Sequence, residues 1–372
     1  MTNKLAELTV THVDIYRFSI KMEPFTIATG TMEYAQNTFI RVHTNAGIYG
    51  VGECSAFPMI VGETQDTCLV MAREFAKLWK GQDALDISAR LKQLDDFTAR
   101  NTTVKSAFDM ALYDLAAKHA GLPLYQYWGG ERKPVETDIT IGIAEPAKMA
   151  ERAVEFKQNG ATILKVKLGK NAQEDVERIR RIREAVGDDM QIRIDANQGW
   201  SFDDAVYALQ AMGAYHIAFC EQPMRTWYDD RLPELMKLSP VKIMADESVY
   251  NHHDARRQIE SGSCHYVNIK LSKSGGLHEA RQIHDMAAAH GVPCMMGGML
   301  ESRIALSAKL HLVYASPNIK FYDMDTCMLG HLEDPCLGGV KYEGYHLTID
   351  DAPGISADAD EHFLKNCEHW RV

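Results

Sequence analysis

Ile163-Leu164-Lys165-Val166-Lys167-Leu168-Gly169 is an apolar run interrupted twice, on the same side, by lysine. A period of two puts Lys165 and Lys167 on one face of a strand and Leu164, Val166 and Leu168 on the other. The branched residues around them predict burial on both faces. Two ammonium groups side by side in an interior are costly unless anions face them. Further along, those anions come at nearly fixed steps: Asp195, Glu221 and Asp246, then a third lysine, Lys270, each ending a short apolar run.

The steps set the architecture. From Thr137 onward a short apolar run is followed by an amphipathic helix, again and again. Pro146 opens one helix and Gly160 closes it; Val176, Ile179, Ile182 and Val186 line a second that stops at Gly187; Ser201 caps a third that ends at Gly213. The strand ends fall at Thr140, Lys167, Asp195, Glu221, Asp246, Lys270, Gly297 and Asp323, a period of roughly 25 to 30 residues that suits one strand plus one helix. Eight such units predict an α/β fold of the (β/α)8 barrel type, in which the C-terminal strand ends face the active-site mouth. A doubly wound open sheet would gather its ligands at one switch point and gives no reason for successive strands to end in ionisable residues.

Ahead of the barrel, Thr9 to Phe18 and Thr38 to Val51 read as antiparallel strands with a turn at Asn45-Ala46-Gly47. Pro24 to Thr31 reads as a polar loop, and Glu53 to Gly62 as a second loop leading to a helix that starts near Glu63. Thr102 to His119 is helical and stops at Gly121 and Pro123. After Asp325 the period is lost. The expected organisation is an α+β unit over 1–125, the barrel over 126–335, and a segment over 336–372 that packs back on the first unit.

Composition narrows the class. With 372 residues, a formal charge of -11 and a pI near 5.8, the chain has ample core and no basic surface for nucleic acid or an anionic membrane. Its eight cysteines form no C-x-x-C and are expected to be reduced. The first twenty residues carry Lys4, Glu7, Asp14 and Arg17, and no uncharged run, Tyr207 to Cys220 included, is long enough to span a bilayer. The expectation is a cytoplasmic protein acting on small molecules. Gly50-Val51-Gly52-Glu53 echoes a dinucleotide loop but lacks the third glycine and a βαβ setting, and reads as a strand end. His252-His253 matches no ligand position.

Asp195, Glu221 and Asp246 offer oxygen ligands with no His or Cys among them, which suits one hard octahedral ion, Mg²⁺ before Zn²⁺. Each acid taken alone could instead cap the turn that follows it. Lys167 on the second barrel strand and Lys270 on the sixth would lie across the axis from each other, so that each could take or deliver a proton at one carbon. Lys165 and the metal are expected to depress the pKa of the base. Together the groups suit removal of a proton next to a carboxylate, with metal and Lys165 on the carboxylate oxygens.

The Lys165-x-Lys167 strand, Asp195-Ala-Asn-Gln-Gly, Glu221-Gln-Pro, Ala-Asp246-Glu-Ser and Asn-Ile-Lys270 resemble, over nearly the whole chain, the muconate-lactonizing subgroup of the enolase superfamily. The resemblance implies a modified (β/α)7β barrel lacking its last helix under an N-terminal α+β cap completed by the C-terminal segment. It also implies one Mg²⁺ per subunit held by Asp195, Glu221 and Asp246, and catalytic Lys167 and Lys270 assisted by Lys165. The subgroup includes cycloisomerases, o-succinylbenzoate synthases and N-acylamino acid racemases, and these remain alternatives, as does a non-catalytic binding protein. Asp323-Met324-Asp325 resembles the Asp-x-Asp with which the dipeptide epimerases of the family hold the substrate's α-ammonium. Thr140, Gly298, Met299 and Leu300 match positions that line the dipeptide, joined by Ile27, Gly30 and Phe57 from the cap. Members acting on Ala-Glu carry arginine where Gly30 stands, and without it a glutamate side chain loses its charge-assisted partner. The implied reaction is therefore epimerisation, by proton transfer between two lysines, at the C-terminal residue of an Ala-Xaa dipeptide with small or hydrophobic Xaa, such as D-Ala-D/L-Ala. The implied partners are that dipeptide and further copies of the chain in a homo-oligomer.

Overall fold

A computed structural model describes residues 8–372; Lys4 and Glu7 lie outside them. Strands β1 (Val10–Ile27), β2 (Gly30–Thr44) and β3 (Tyr49–Ser55) form an antiparallel sheet, extended at its β1 edge by the C-terminal strand His369–Arg371. Helix Thr102–Ala120 lies on β3 so closely that a Cβ at Gly50 or Gly52 would sit 2.0 Å from the Ala111 carbonyl oxygen or 1.8 Å from that of Ala107. The Gly50-Val51-Gly52 motif is thus a helix-packing surface inside a strand.

Two loop expectations are corrected. Pro24 to Thr31 is not a loop: β1 runs to Ile27 and β2 resumes at Gly30, with Phe25 opposite Met32 and Thr26 opposite Thr31. The ladder shifts register between Lys21 and Phe25, where Pro24 has no N–H to give, and β-branched residues then carry the hairpin onward. Glu53, Cys54 and Ser55 belong to β3, so that the second loop shrinks around the single turn Pro58–Val61.

The barrel strands are β4 (Ile139–Ile141), β5 (Ile163–Lys167), β6 (Gln191–Asp195), β7 (Ile217–Glu221), β8 (Ile243–Ala245), β9 (Tyr266–Ile269), β10 (Cys294–Met296) and β11 (Ile319–Tyr322), parallel and in sequential order. An α-helix follows each strand from β4 to β10, whereas among the described residues β11 leads only into the 3-10 turn Thr326–Met328 and the C-terminal segment, which makes the fold a (β/α)7β barrel. The ring is joined where the Asp138 N–H donates to the Tyr322 carbonyl (3.2 Å) and the Met324 N–H to Thr137 Oγ1 (2.8 Å). Leu164 and Val166 point outward into an apolar layer with Ile179, Ile182 and Leu209, which leaves Lys165 and Lys167 facing the axis. Phe219, Met244, Met295 and Phe321 fill the barrel floor beneath them, with the Arg193 guanidinium 5.5 and 5.4 Å from the two phenyl centroids.

The C-terminal segment returns to the cap. Cys336–Gly338 pairs with Ala357–Ala359, Arg41 of β2 binds Asp358 (2.9 Å) and Glu361, and His369–Arg371 pairs with Asp14–Tyr16. All eight cysteines are free thiols. Among the described residues no helix is long and apolar enough to cross a membrane.

Candidate active site

Parallel register brings the ionisable strand ends into layers. Thr140 stands beside Lys165, Lys167 beside Asp195, and Asp195 beside Glu221. Asp246 and Lys270 follow β8 and β9 by one residue. Lys165 is the hub: its Nζ lies 2.7 Å from Glu221 Oε2, 2.7 Å from Asp323 Oδ2 and 3.3 Å from Asp195 Oδ2. Lys167 Nζ binds Asp195 Oδ2 at 2.6 Å, and Lys270 Nζ binds Asp246 Oδ2 at 2.7 Å with Glu221 Oε1 3.7 Å away. All of these side chains are buried.

The carboxylates dominate the electrostatics of Lys165 and Lys270. Burial disfavours the Lys165 ammonium, yet Asp323, Glu221 and Asp195 outweigh it and hold its pKa well above the ordinary value. Burial likewise works against Lys270, and Asp246 and Glu221 raise it. Burial, then the neighbouring Asp195 charge, pushes Glu221 up to about 8.

Three buried carboxylates with hard oxygen donors and neither sulfur nor imidazole among them fit a divalent ion of the Mg²⁺ type. Beside them Glu247, 4% exposed, has no hydrogen-bond partner among the described residues on either carboxylate oxygen, and burial followed by the Asp246 charge pushes it up to about 8. So many buried anions in one layer leave room for cationic charge beyond the lysines. Asp138, Asp323 and Asp325 bring their carboxylate oxygens still closer, to within 4.8 Å of one another, but this trio already holds cations. Arg193 Nη1 binds Asp138 at 2.8 Å and Lys165 binds Asp323. Asp325 alone of the three has no ion pair among the described residues. Its Oδ2 accepts the Thr140 N–H at 2.7 Å, and burial, then the Asp323 charge, pushes its pKa up to about 7. One uncompensated negative charge suits a monovalent cation better than a divalent one.

Above these groups is a small cavity of about 50 Å³, well below the roughly 300–1,000 Å³ of drug-sized ligand sites. Lys167, Lys270, Asp323, Asp325 and Thr140 form its floor and sides, Gly298, Met299 and Leu300 a wall, and Phe25, Ile27, Phe57 and Ile60 of the cap its roof. Of the substrate-binding residues expected there, Lys165 and Gly30 do not line the cavity, and a Cβ at Gly30 would meet Met59 Sδ at 2.7 Å.

Several supporting residues escape the sequence reading. Asn268 Nδ2 donates to Glu221 Oε1 (2.7 Å), and Gly297 must be glycine because a Cβ would lie 2.2 Å from Asn268 Oδ1. Lys273, fully buried, binds Asp246 Oδ1 at 2.5 Å and donates to the Val249 carbonyl at 3.0 Å. Glu53 of β3 accepts from Asn37 Nδ2 (2.7 Å), the Ser302 N–H (2.9 Å) and hydroxyl (2.7 Å), and the Ala305 N–H (3.0 Å). It therefore caps helix Arg303–Ala315 from another domain, while Asn37 also donates to the Leu300 carbonyl (2.9 Å). The buried Lys309–Glu301 pair holds the same wall, Glu301 accepting the Met299 N–H at 2.7 Å. Adjacency offers a signal for Asn268, two residues before Lys270; the partners of Glu53 and Lys309 have none.

Comparison with known proteins agrees with this geometry. Residues 10–129 match the mandelate racemase / muconate lactonizing enzyme N-terminal domain, and residues 148–363 the enolase C-terminal domain-like family. The chain is 41% identical to a D-Ala-D/L-Ala epimerase of Cytophaga hutchinsonii over 96% of its own length and 98% of that protein. It is 38% identical to a hydrophobic dipeptide epimerase of Enterococcus faecalis over 92% and 97%. The crystal structure of the Cytophaga hutchinsonii dipeptide epimerase with Mg and D-Ala-L-Val superposes with a TM-score of 0.96, covering 98% of this chain and 100% of that one, at 41% identity. The L-Ala-D/L-Glu epimerase of Bacillus subtilis in a substrate-liganded complex gives 0.91 at 31% identity, covering 95% and 99%.

Proposed function

Since the chain belongs to the mandelate racemase / muconate lactonizing enzyme family of the enolase superfamily, we propose that it is an isomerase, a dipeptide epimerase that inverts the α-carbon of the C-terminal residue. The observation that carries this reading is Asp325, a buried carboxylate left without an ion pair beside Asp323 at the rim of the cavity. A primary ammonium is the ligand such a group lacks. With the N-terminal ammonium at Asp325 and the terminal carboxylate towards Lys165, the second α-carbon comes between Lys167 and Lys270. These lysines rise from β5 and just beyond β9, half the ring apart.

One lysine removes the α-proton from one face and the other returns a proton to the opposite face. Lys165, buried and held protonated by three carboxylates, donates to the substrate carboxylate as charge gathers there. Mg²⁺ on Asp195, Glu221 and Asp246 would supply Lewis-acid stabilisation of that carboxylate and would offset the anions that keep the lysines protonated. Glu53, Asn37 and the Lys309–Glu301 pair keep the Gly298–Leu300 wall in place.

The roof sets the choice of second residue. Phe25, Ile27, Phe57 and Ile60 offer it only apolar surface, and Met59 fills the place behind Gly30. Small or hydrophobic side chains gain burial there, whereas a glutamate carboxylate would be desolvated without a cation. Supporting readings complete the proposal: domains over 1–125, 126–335 and 336–372, a cytoplasmic location in keeping with the free thiols, and a homo-oligomer for which exposed Trp227 and Tyr228 offer apolar contact. The test is a dipeptide library in D₂O with Mg²⁺, read by mass. Ala-Xaa members with apolar Xaa should gain one deuterium and acidic ones should not. Uptake only in N-acylated amino acids, or in nothing, overturns the proposal.

A further inference from the structure

The cap carries a second group of side chains with metal-binding chemistry, at the opposite end of β1 from the hairpin that roofs the cavity. His12 and Ile27 are separated by on the order of 45–50 Å of strand at ~3.3 Å per residue. His12 of β1 and His43 of β2 stand directly opposite each other, their rings stacked with centroids 4.2 Å apart and planes 7° from parallel. Asp14, two residues on from His12, shares their face. The ligand atoms of the three residues lie within 4.8 Å of one another. His43 Nε2 is 3.1 Å and His12 Nε2 4.0 Å from Asp14 Oδ2.

Four features distinguish this from a chance gathering of polar residues. The β1–β2 ladder shifts register between Val10 and His12, and a bulge of that kind re-aims the side chain that follows it. Among the described residues His43 Nε2 is buried without a well-directed hydrogen bond. Thr11 Oγ1 lies 3.1 Å from His12 Nδ1, where it can accept the Nδ1 proton and leave the Nε2 lone pair free, the usual support for a ligating imidazole. Asp14, 3% exposed, is held on Oδ1 by Arg371 Nε (2.7 Å) and His369 Nε2 (3.0 Å) and on Oδ2, the oxygen facing the imidazoles, by Arg371 Nη2 (2.9 Å), which fixes the carboxylate beside them. The rings themselves are reachable, with 29% and 24% of the His12 and His43 side chains exposed.

We propose that His12, His43 and Asp14 form a binding site for a borderline divalent transition ion, Zn²⁺ or its neighbours, that clasps β1 to β2 and, through Asp14, to the C-terminal strand. Two imidazole nitrogens and one carboxylate oxygen favour Zn²⁺, Co²⁺, Ni²⁺ or Cu²⁺ and discriminate against Mg²⁺. The site is therefore chemically separate from the all-carboxylate centre of the barrel. Neutral imidazoles are needed to ligate, and burial, then His43, lowers the His12 pKa. The competing account is that Asp14 serves only as the ion-pair partner of Arg371.

The experiment uses the full chain without an affinity tag, saturated with Mg²⁺, and titrates Zn²⁺ by calorimetry alongside His12→Gln and His43→Gln. The expected result is one Zn²⁺ per chain, a Tm that rises with Zn²⁺ concentration, and binding weakened by about tenfold or more in each variant with Mg²⁺-dependent turnover unchanged. Cu²⁺ should give electron paramagnetic resonance coupling to two imidazole nitrogens in the parent and to one in each variant. Equal Zn²⁺ affinity in parent and variants, no saturable binding, or no nitrogen coupling overturns the proposal. Retained turnover shows that the variants are folded.

Discussion

Asp325→Asn isolates the charge that the proposed reading assigns to the substrate ammonium. Asp323 is the poorer target because its removal also strips Lys165 of a 2.7 Å partner. The asparagine keeps an oxygen able to accept the Thr140 N–H, so the strand end should stay in place and only the charge be lost. Asp325 is 1% exposed, and an ammonium docked on it is desolvated with it. Breaking a buried pair of this kind costs about 3–5 kcal/mol. Because the amide still offers a hydrogen-bond acceptor, the lower bound applies, and about 3 kcal/mol corresponds to roughly 150-fold in kcat/KM. N-acetylation of the dipeptide removes the same interaction from the other side and should cost the parent enzyme a similar factor. The assay is the four-cornered cycle of parent and variant with Ala-Ala and N-acetyl-Ala-Ala. The two losses should not add, leaving a coupling of about 2–3 kcal/mol, at the upper end for residues in contact. If acetylation hurts the variant as much as the parent, Asp325 does not read the ammonium and the reasoning fails. If the acetylated substrate is preferred by the parent, the acylamino acid racemase alternative replaces the dipeptide.

Other outcomes follow from the same geometry. Exhaustive chelation should abolish turnover, and Glu221→Gln should weaken Mg²⁺ binding and kcat together; full activity in chelator would falsify the metal's role. Lys167→Ala and Lys270→Ala should each stop epimerisation while leaving deuterium exchange in one epimer, a different one for each variant, as read by chiral chromatography with mass detection; parent-like interconversion in both sinks the two-base scheme. The pH profile of kcat/KM should fall on the acid side through about 7, where the Asp325 carboxyl titrates. Its pKa is raised above the ordinary carboxylate value, so the charged form exists only above that pH and an ammonium loses its counter-charge below it. The limb should vanish in Asp325→Asn.

The barrel could be read from the sequence because each strand carries its own boundary marks. An apolar run that ends in Lys167, Asp195 or Glu221 identifies strand, direction and inward face together, and the observed ends differ from the expected ones by at most one residue. The hairpin over the cavity could not be read so, because Pro24 and its polar neighbours look like a loop. It is cross-strand pairing with Thr31 and Met32 that makes them strand. The surroundings of Gly30 were illegible for a related reason, since no local pattern tells that Met59 packs against it. Glu53 and Ser302 are 249 residues apart in the chain and Asp138 and Arg193 are 55 apart. No periodicity links such partners; only the closed barrel and the cap bring them together. The raised pKa of Lys165 and Lys270 is equally out of reach of local pattern, since the carboxylates that face them come from other strands.

The claim that the cavity performs proton transfer at the second α-carbon of a dipeptide is tested most directly by where deuterium enters. D-Ala-L-Ala incubated with the Mg²⁺-loaded enzyme in D₂O and followed by proton NMR should lose the α-proton signal of the C-terminal alanine as D-Ala-D-Ala appears. The N-terminal α-proton and both methyl groups should stay protiated. Loss of the N-terminal α-proton, or a C-terminal α-proton that persists at saturating Mg²⁺, would contradict the placement of Lys167 and Lys270 about that carbon.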